Sequence, residues 1–166
     1  GLYNANNICA ALTIGKYFGI EDKVIKVALE SYIPENNRSQ ILSKGTNQII
    51  MDAYNANPSS MIVALENFVQ LDNSNKIIIL GDMFELGLES HLEHKAIVDF
   101  LFKEENVICH FIGLEFYANR IKRDNFYFHE TFESFSKYFQ ETKMENYSIL
   151  VKGSRGMALE RTLSFL

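Results

Sequence analysis

The spacing of apolar residues along the chain changes near residue 34. Over 4–18, Ile8, Ala11, Leu12 and Gly15 recur at helical spacing, and Gly19 is a natural stop. Residues 21–32 repeat the pattern with Val24, Ala28 and Leu29 and end before Pro34. A helical hairpin of this size has no strand and cannot close a core, so it is expected to be the tail of a preceding domain. The segment 34–39 (PENNRS) is polar and turn-rich, and it reads as a linker.

Beyond the linker, short apolar runs alternate with helical stretches. Residues 40–43 and 48–52 flank a Lys44-Gly45-Thr46-Asn47 turn and predict a β-hairpin. Strands are predicted at 76–80 (KIIIL), 107–112 (VICHFI), 125–129 (NFYFH) and 147–151 (YSILV). Helices are predicted at 58–71, 88–104, 114–123, 131–142 and 155–165. Near-continuous apolar strands joined by helices imply a sheet covered on both faces. The expected fold class is α/β: a Rossmann-like, doubly wound, mostly parallel sheet over 36–166, preceded by a helical remnant over 1–35.

Composition narrows the function without naming it. A length of 166 residues fits one domain, or one domain and a fragment of another. A formal charge of −5 argues against a general nucleic-acid binder, which needs clustered Lys and Arg. No apolar run approaches the ~20 residues that cross a bilayer, and the N-terminal stretch lacks a signal-peptide pattern. Cys9 and Cys109 form no CxxC pair; both are expected to be buried free thiols in a cytoplasmic setting.

Chemistry concentrates in three polar loops, each following a predicted strand: DAYNANP (52–58), GDMFELG (81–87) and VKGSRG (151–156). In an open parallel sheet such loops converge on one edge, where ligands bind. Asn57 is a good N-cap and Pro58 suits the first helical turn, so helix N–H groups there can hold an anion. Asp52 is placed to accept hydrogen bonds from ribose hydroxyls, with Tyr54 and Asn55 beside it. The second loop brings two carboxylates, Asp82 and Glu85; helix capping and solvation are their simpler roles. The third brings Lys152, Ser154 and Arg155, the last able to clamp a carboxylate in a bidentate fork. Both signs of charge at one edge suit a zwitterion such as an amino acid or short peptide, against a surface ion pair as the plainer account.

Several signatures are missing from the sequence. It contains neither G-x-x-x-x-G-K-[ST] nor G-x-S-x-G, and GDMFELG does not have the dinucleotide G-x-G-x-x-G spacing. His91 and His94, with Glu89 and Glu93 nearby, lack HExxH spacing and are expected on a solvated helix face. His110 and His129 fall in strand patterns and are expected to be structural.

Taken together, DAYNANPSSM (52–61), GDMFELG with His94 following, and VKGSR (151–155) resemble the C-terminal part of the Mur ligases. These are ATP-dependent amide ligases of peptidoglycan synthesis. GLYNANNICAA (1–11) is similar to the family's Gly-x-His-Asn-x-x-Asn-x-x-Ala-Ala segment, with Tyr3 in place of His. The stretch from Pro34 to Arg38 is longer than the family's Pro-x-Arg. The likeness is greatest to the branch that joins D-alanyl-D-alanine to UDP-N-acetylmuramoyl-tripeptide through an acyl phosphate.

The resemblance implies a central ATPase domain upstream, in the same polypeptide, that holds ATP and Mg and carries the P-loop. The fragment alone would then be inactive and carry no catalytic residue of its own. Asn7, Arg38 and Asp52 would approach the nucleotide. Tyr54, Asn55, Asn57, Asp82 and Glu85 would line the substrate cleft, and Lys152, Ser154 and Arg155 would meet the dipeptide. A folylpolyglutamate- or cyanophycin-type ligase domain, or a stand-alone Rossmann-like ligand-binding module, are the alternatives.

Overall fold

The structure is a computed structural model that describes residues 5–33, 36–142 and 144–166. Tyr3 and the start of the 34–39 linker lie outside the described residues. Two compact units divide the chain, Gly1–Pro34 and Glu35–Leu166.

The first unit is the expected helical hairpin, α1 (Ala5–Tyr17) and α2 (Asp22–Ser31). The helices touch closely at Gly15, where a Cβ would sit 2.9 Å from Ile25 Cδ1. Lys16 and Asp22 add an exposed ion pair at 2.7 Å. Little else is covered: Ile8, Ile14, Phe18, Val24, Val27 and Ile33 are all exposed. On α2 the buried residue is Ile25, and Val24 of the helical pattern is exposed. Cys9 is exposed rather than buried, because α1 has no second layer over that face within its unit; Cys109 is buried as expected, and both are free thiols.

The second unit contains β1 (Gln40–Lys44), β2 (Asn47–Asp52), α3 (Pro58–Val69), β3 (Lys76–Gly81), α4 (Ser90–Leu101) and β4 (Val107–Ile112). It continues with α5 (Leu114–Ala118), β5 (Phe126–His129), α6 (Phe132–Gln140) and β6 (Ser148–Lys152). The six strands lie in the order β1-β2-β6-β3-β4-β5. Only β1 runs antiparallel, as the outer arm of the hairpin whose turn places Gly45 at φ 57°.

Alternation along the buried strands assigns the two faces. Ile78, Leu80, Cys109, Phe111 and Leu150 pack against α3, α4 and α5 through Met61, Leu65, Phe68, Ile97, Leu101 and Phe116. The intervening Ile49, Met51, Ile77, Ile79, Ile149 and Val151 pack against Phe132, Phe135 and Phe139 of α6, and Leu159. This is the doubly wound α/β arrangement that the uninterrupted apolar strands imply.

Two predicted helices differ. The helix expected over 114–123 stops at Ala118, where side chains bind main chain instead. Asn119 Nδ2 donates to His91 O and Glu115 O, and the Arg123 guanidinium donates to Leu101 O, Phe102 O and Glu104 O. The helix expected over 155–165 forms two 3-10 stretches, Arg155–Met157 and Leu159–Ser164, broken at Ala158 with φ 47°. Met157 and Leu159 are drawn down onto Gly81, where a Cβ would lie 3.0 Å and 2.9 Å from them. Tertiary packing there overrides local helix preference.

Candidate functional site

The three polar loops leave neighbouring strands, because β6 lies between β2 and β3. Asp52 is in register with Lys152, and Lys152 with Leu80. The exit from β2 leads to α3 on one face of the sheet, whereas the exit from β6 leads to Leu159 on the other. Adjacent strands whose connections leave to opposite faces open a crevice at the carboxyl edge, the usual ligand position in such sheets.

Glycines let these exits come close. A Cβ on Gly153 would lie 3.0 Å from Gly81 Cα, and one on Gly156 would lie 2.6 Å from the Phe84 ring. Only residues without a side chain allow the β3 and β6 loops this separation.

The first and third loops are joined by charge. Lys152 is only 2% exposed, with Nζ 2.5 Å from Asp52 Oδ2 and 3.4 Å from Asn55 O. Asp52 Oδ1 accepts from Ser39 N–H at 3.0 Å and Ser39 Oγ at 3.2 Å. An ammonium this buried needs a counter-ion and further acceptors. Asp52 and Lys152, expected to meet different parts of a ligand, thus hold each other across 100 residues of chain.

Polar contacts also tie the second and third loops. Ser154 N–H donates to Asp82 O at 3.2 Å, and Phe84 N–H donates to Ser154 Oγ at 2.8 Å. The Asp82 carboxylate faces inward: Oδ2 and Oδ1 accept the N–H groups of Glu115 and Phe116, both at 3.0 Å. Asp82 therefore anchors the start of α5 and is not presented to a ligand, correcting the role expected from its strand-end position. Burial pushes its carboxyl pKa up, against the opposing pull of those two N–H groups. Gly113 must be bare here as well, since a Cβ would lie 2.3 Å from the Asp82 carboxylate.

The remaining expected residues fall into two sets. Asn57 caps α3 in a reciprocal box with Ser60, its Oδ1 accepting from Ser60 N–H at 2.9 Å. Asn55 Oδ1 accepts from Ala56 N–H at 2.9 Å, so both Asn side chains shape the loop. More accessible groups are Tyr54, with the Arg38 guanidinium 3.8 Å above its ring, Glu85 in the left-handed region at φ 65°, and Arg155. Arg155 is 60% exposed and donates to Oε1 of the half-buried Glu160 at 3.0 Å. Asn7 lies on α1 in the first unit.

His94 departs from the solvated face expected for it. It is fully buried, with Nε2 accepting from Met83 N–H at 2.9 Å. His91 remains exposed. Among the described residues no cluster of three or more His, Cys, Asp or Glu is arranged to hold a metal. Sequence reasoning missed Ser39, which carries no motif of its own and is brought to Asp52 only by the fold, and gave no role to Phe84, whose main-chain N–H binds Ser154.

The mostly parallel six-stranded sheet with helices on both faces defines the class: a doubly wound, Rossmann-like α/β domain. Residues 37–155 match the family model described as Mur ligase, glutamate ligase domain, and the chain belongs to that family. It is 31% identical over 176 residues to the UDP-N-acetylmuramoyl-tripeptide–D-alanyl-D-alanine ligase of Bacillus subtilis, aligning 100% of this chain with 38% of that protein. With the ligase of the same description from Borreliella burgdorferi it shares 29% identity over 99% of this chain and 36% of that protein. The crystal structure of MurF from Acinetobacter baumannii superposes with a TM-score of 0.82 at 25% identity, over 99% of this chain and 37% of that one. The chain thus spans little more than a third of the length of the relatives it matches.

Proposed function

We propose that this chain is the C-terminal part of an ATP-dependent ligase that joins D-alanyl-D-alanine to UDP-N-acetylmuramoyl-tripeptide. The observation that supports the reading is the buried Asp52–Lys152 pair, with Ser154 and Arg155 next along the loop that leaves β6, within the span that matches the family. Residues 1–35 are then the last helices of a central ATPase domain, in keeping with the exposed apolar side chains of α1 and α2. With soluble, nucleotide-linked substrates the enzyme works in the cytoplasm, and no helix among the described residues is long and apolar enough to cross a membrane.

ATP with its Mg ion, held mainly by the central domain, supplies the phosphoryl group that activates the tripeptide carboxylate. This chain's part is to bind and orient. Arg38, stacked on Tyr54, and Asp52 take the ribose and phosphate side, where Asp52 already accepts paired N–H and O–H donors from Ser39. Tyr54, Asn55, Asn57 and Glu85 form the cleft wall. Arg155 leaves Glu160 to grip the dipeptide carboxylate, which points the dipeptide amine at the activated carbonyl. Lys152 supplies positive potential beneath it, held ready by Asp52.

A polypeptide that restores the upstream domain tests this reading. Arg155→Ala there should raise KM for D-alanyl-D-alanine by about tenfold or more, as expected for losing a charge-assisted carboxylate contact. An unchanged KM would refute the assignment of Arg155. The chain of 166 residues alone should release no phosphate with the dipeptide.

A further inference from the structure

We infer that His94 is the positioning residue of the carboxyl edge: from inside α4 it sets the clasp that presents Lys152 and Arg155. Its two ring nitrogens select one tautomer. Nδ1 lies 2.7 Å from Ser90 O, a carbonyl that can only accept, so Nδ1 carries the proton. Nε2 receives the Met83 N–H at 2.9 Å and must be bare. The 3.7 Å approach of Nε2 to Asp82 Oδ1 is therefore not an ion pair. The ring is held edge-on to Phe116, 4.6 Å between centroids, and has no exposed surface.

Met83 is the centre of a two-point grip. On one side Asp82 O accepts the Ser154 N–H; on the other the Phe84 N–H donates to Ser154 Oγ. Ser154 stands between Gly153, next to the buried Lys152, and Arg155. The Asp82 carboxylate anchors this loop to α5, and His94 anchors it to α4. Met83 is 1% exposed, so without the imidazole its N–H would be buried with no acceptor. Relief of that cost requires residues 82–84 to turn, which moves both of their contacts to Ser154. A histidine serving only to fill the core would not need its Nε2 aimed at the loop. The link to dipeptide binding rests on the function proposed above; the clasp itself does not.

Amide hydrogen exchange on the 166-residue chain, read by NMR, tests the inference with His94→Phe and His94→Gln. Imidazole nitrogen spectra of the unaltered chain should show a protonated Nδ1 and a bare Nε2. In His94→Phe, exchange at Met83, Phe84 and Ser154 should accelerate by roughly tenfold or more, while Phe135 and Phe139 on the opposite face keep their rates. In His94→Gln, whose amide oxygen can take the Met83 N–H, most of that protection should return. Three results would overturn the proposal: Ser154 within about twofold of its original rate in His94→Phe, uniform acceleration across the domain, or no recovery in His94→Gln. In the polypeptide carrying the upstream domain, His94→Phe should raise KM for D-alanyl-D-alanine more than it lowers kcat. A loosened clasp with an unchanged KM upholds the positioning of Ser154 by His94 and counts against the dipeptide assignment instead.

Discussion

Two halves of the sheet treat buried titratable groups in opposite ways. At the ends of β2 and β6, Lys152 and Asp52 keep their charges inside the protein by facing each other, with Ser39 and Asn55 filling the remaining positions. Under α6, on β4 and β5, His110 and His129 are buried with no counter-ion among the described residues, His110 Nδ1 3.2 Å from His129 Nε2. Their neighbours are rings: Tyr127, Phe135, Tyr138 and Phe139. Burial lowers the pKa of His110 to about 3, assisted by His129, and burial lowers that of His129 to about 4. The contrast separates the carboxyl edge of the sheet from its core. Charge is retained where partners are supplied for it, and shed where the surroundings are aromatic.

The strongest way to break this comparison is Lys152→Met. Asp52 would lose its counter-ion in a largely buried position, at a cost of about 3 kcal/mol in chemical denaturation. Adding Asp52→Asn should return much of that loss. If the single and double variants are equally stable, the two charges do not support each other and the distinction between the halves disappears.

A smaller effect, spread over pH, comes from the other half. Both histidines are neutral in the fold and have folded values below the ordinary 6.5, so the unfolded chain binds protons first as pH falls. Stability from this pair is therefore complete above about pH 6.5 and is lost progressively toward pH 4 and pH 3. His110→Phe should flatten the fall in melting temperature between pH 6.5 and pH 4; an unaltered slope would mean that other groups govern the acid response.

The smallest effect concerns a loop residue whose role is local. Asn57→Ala removes the cap of α3 and should cost about 1 kcal/mol, with the Lys152–Asp52 pair preserved. A much larger loss would show that the cap and the ion pair form one unit.

Much of this was legible in the residues themselves. The change from helical to strand spacing near residue 34 gives the element types, because each period is imposed by local backbone geometry. Asn57-Pro58 marks a helix start for the same reason, and the capping box is present. Strand-end loops identified three segments of the edge, since a parallel sheet sends all such loops one way. The errors lie where a local pattern competes with distant partners. Helical preference over 155–165 yields to the pull of Met157 and Leu159 on Gly81. Asp82 turns to the N–H groups of Glu115 and Phe116, 33 and 34 residues on, and His94 turns inward to Met83.

From its linear order of residues the chain declares an α/β sheet, three polar turns and the family to which they belong, because period, capping and turn chemistry act over a few residues. The insertion of β6 between β2 and β3 is of another kind. It pairs Lys152 with Asp52 and fits Ser154 between Asp82 and Phe84. Those partners are chosen by burial: a charged or polar group removed from water takes whatever donor or acceptor the packed fold brings within reach, however far away in sequence.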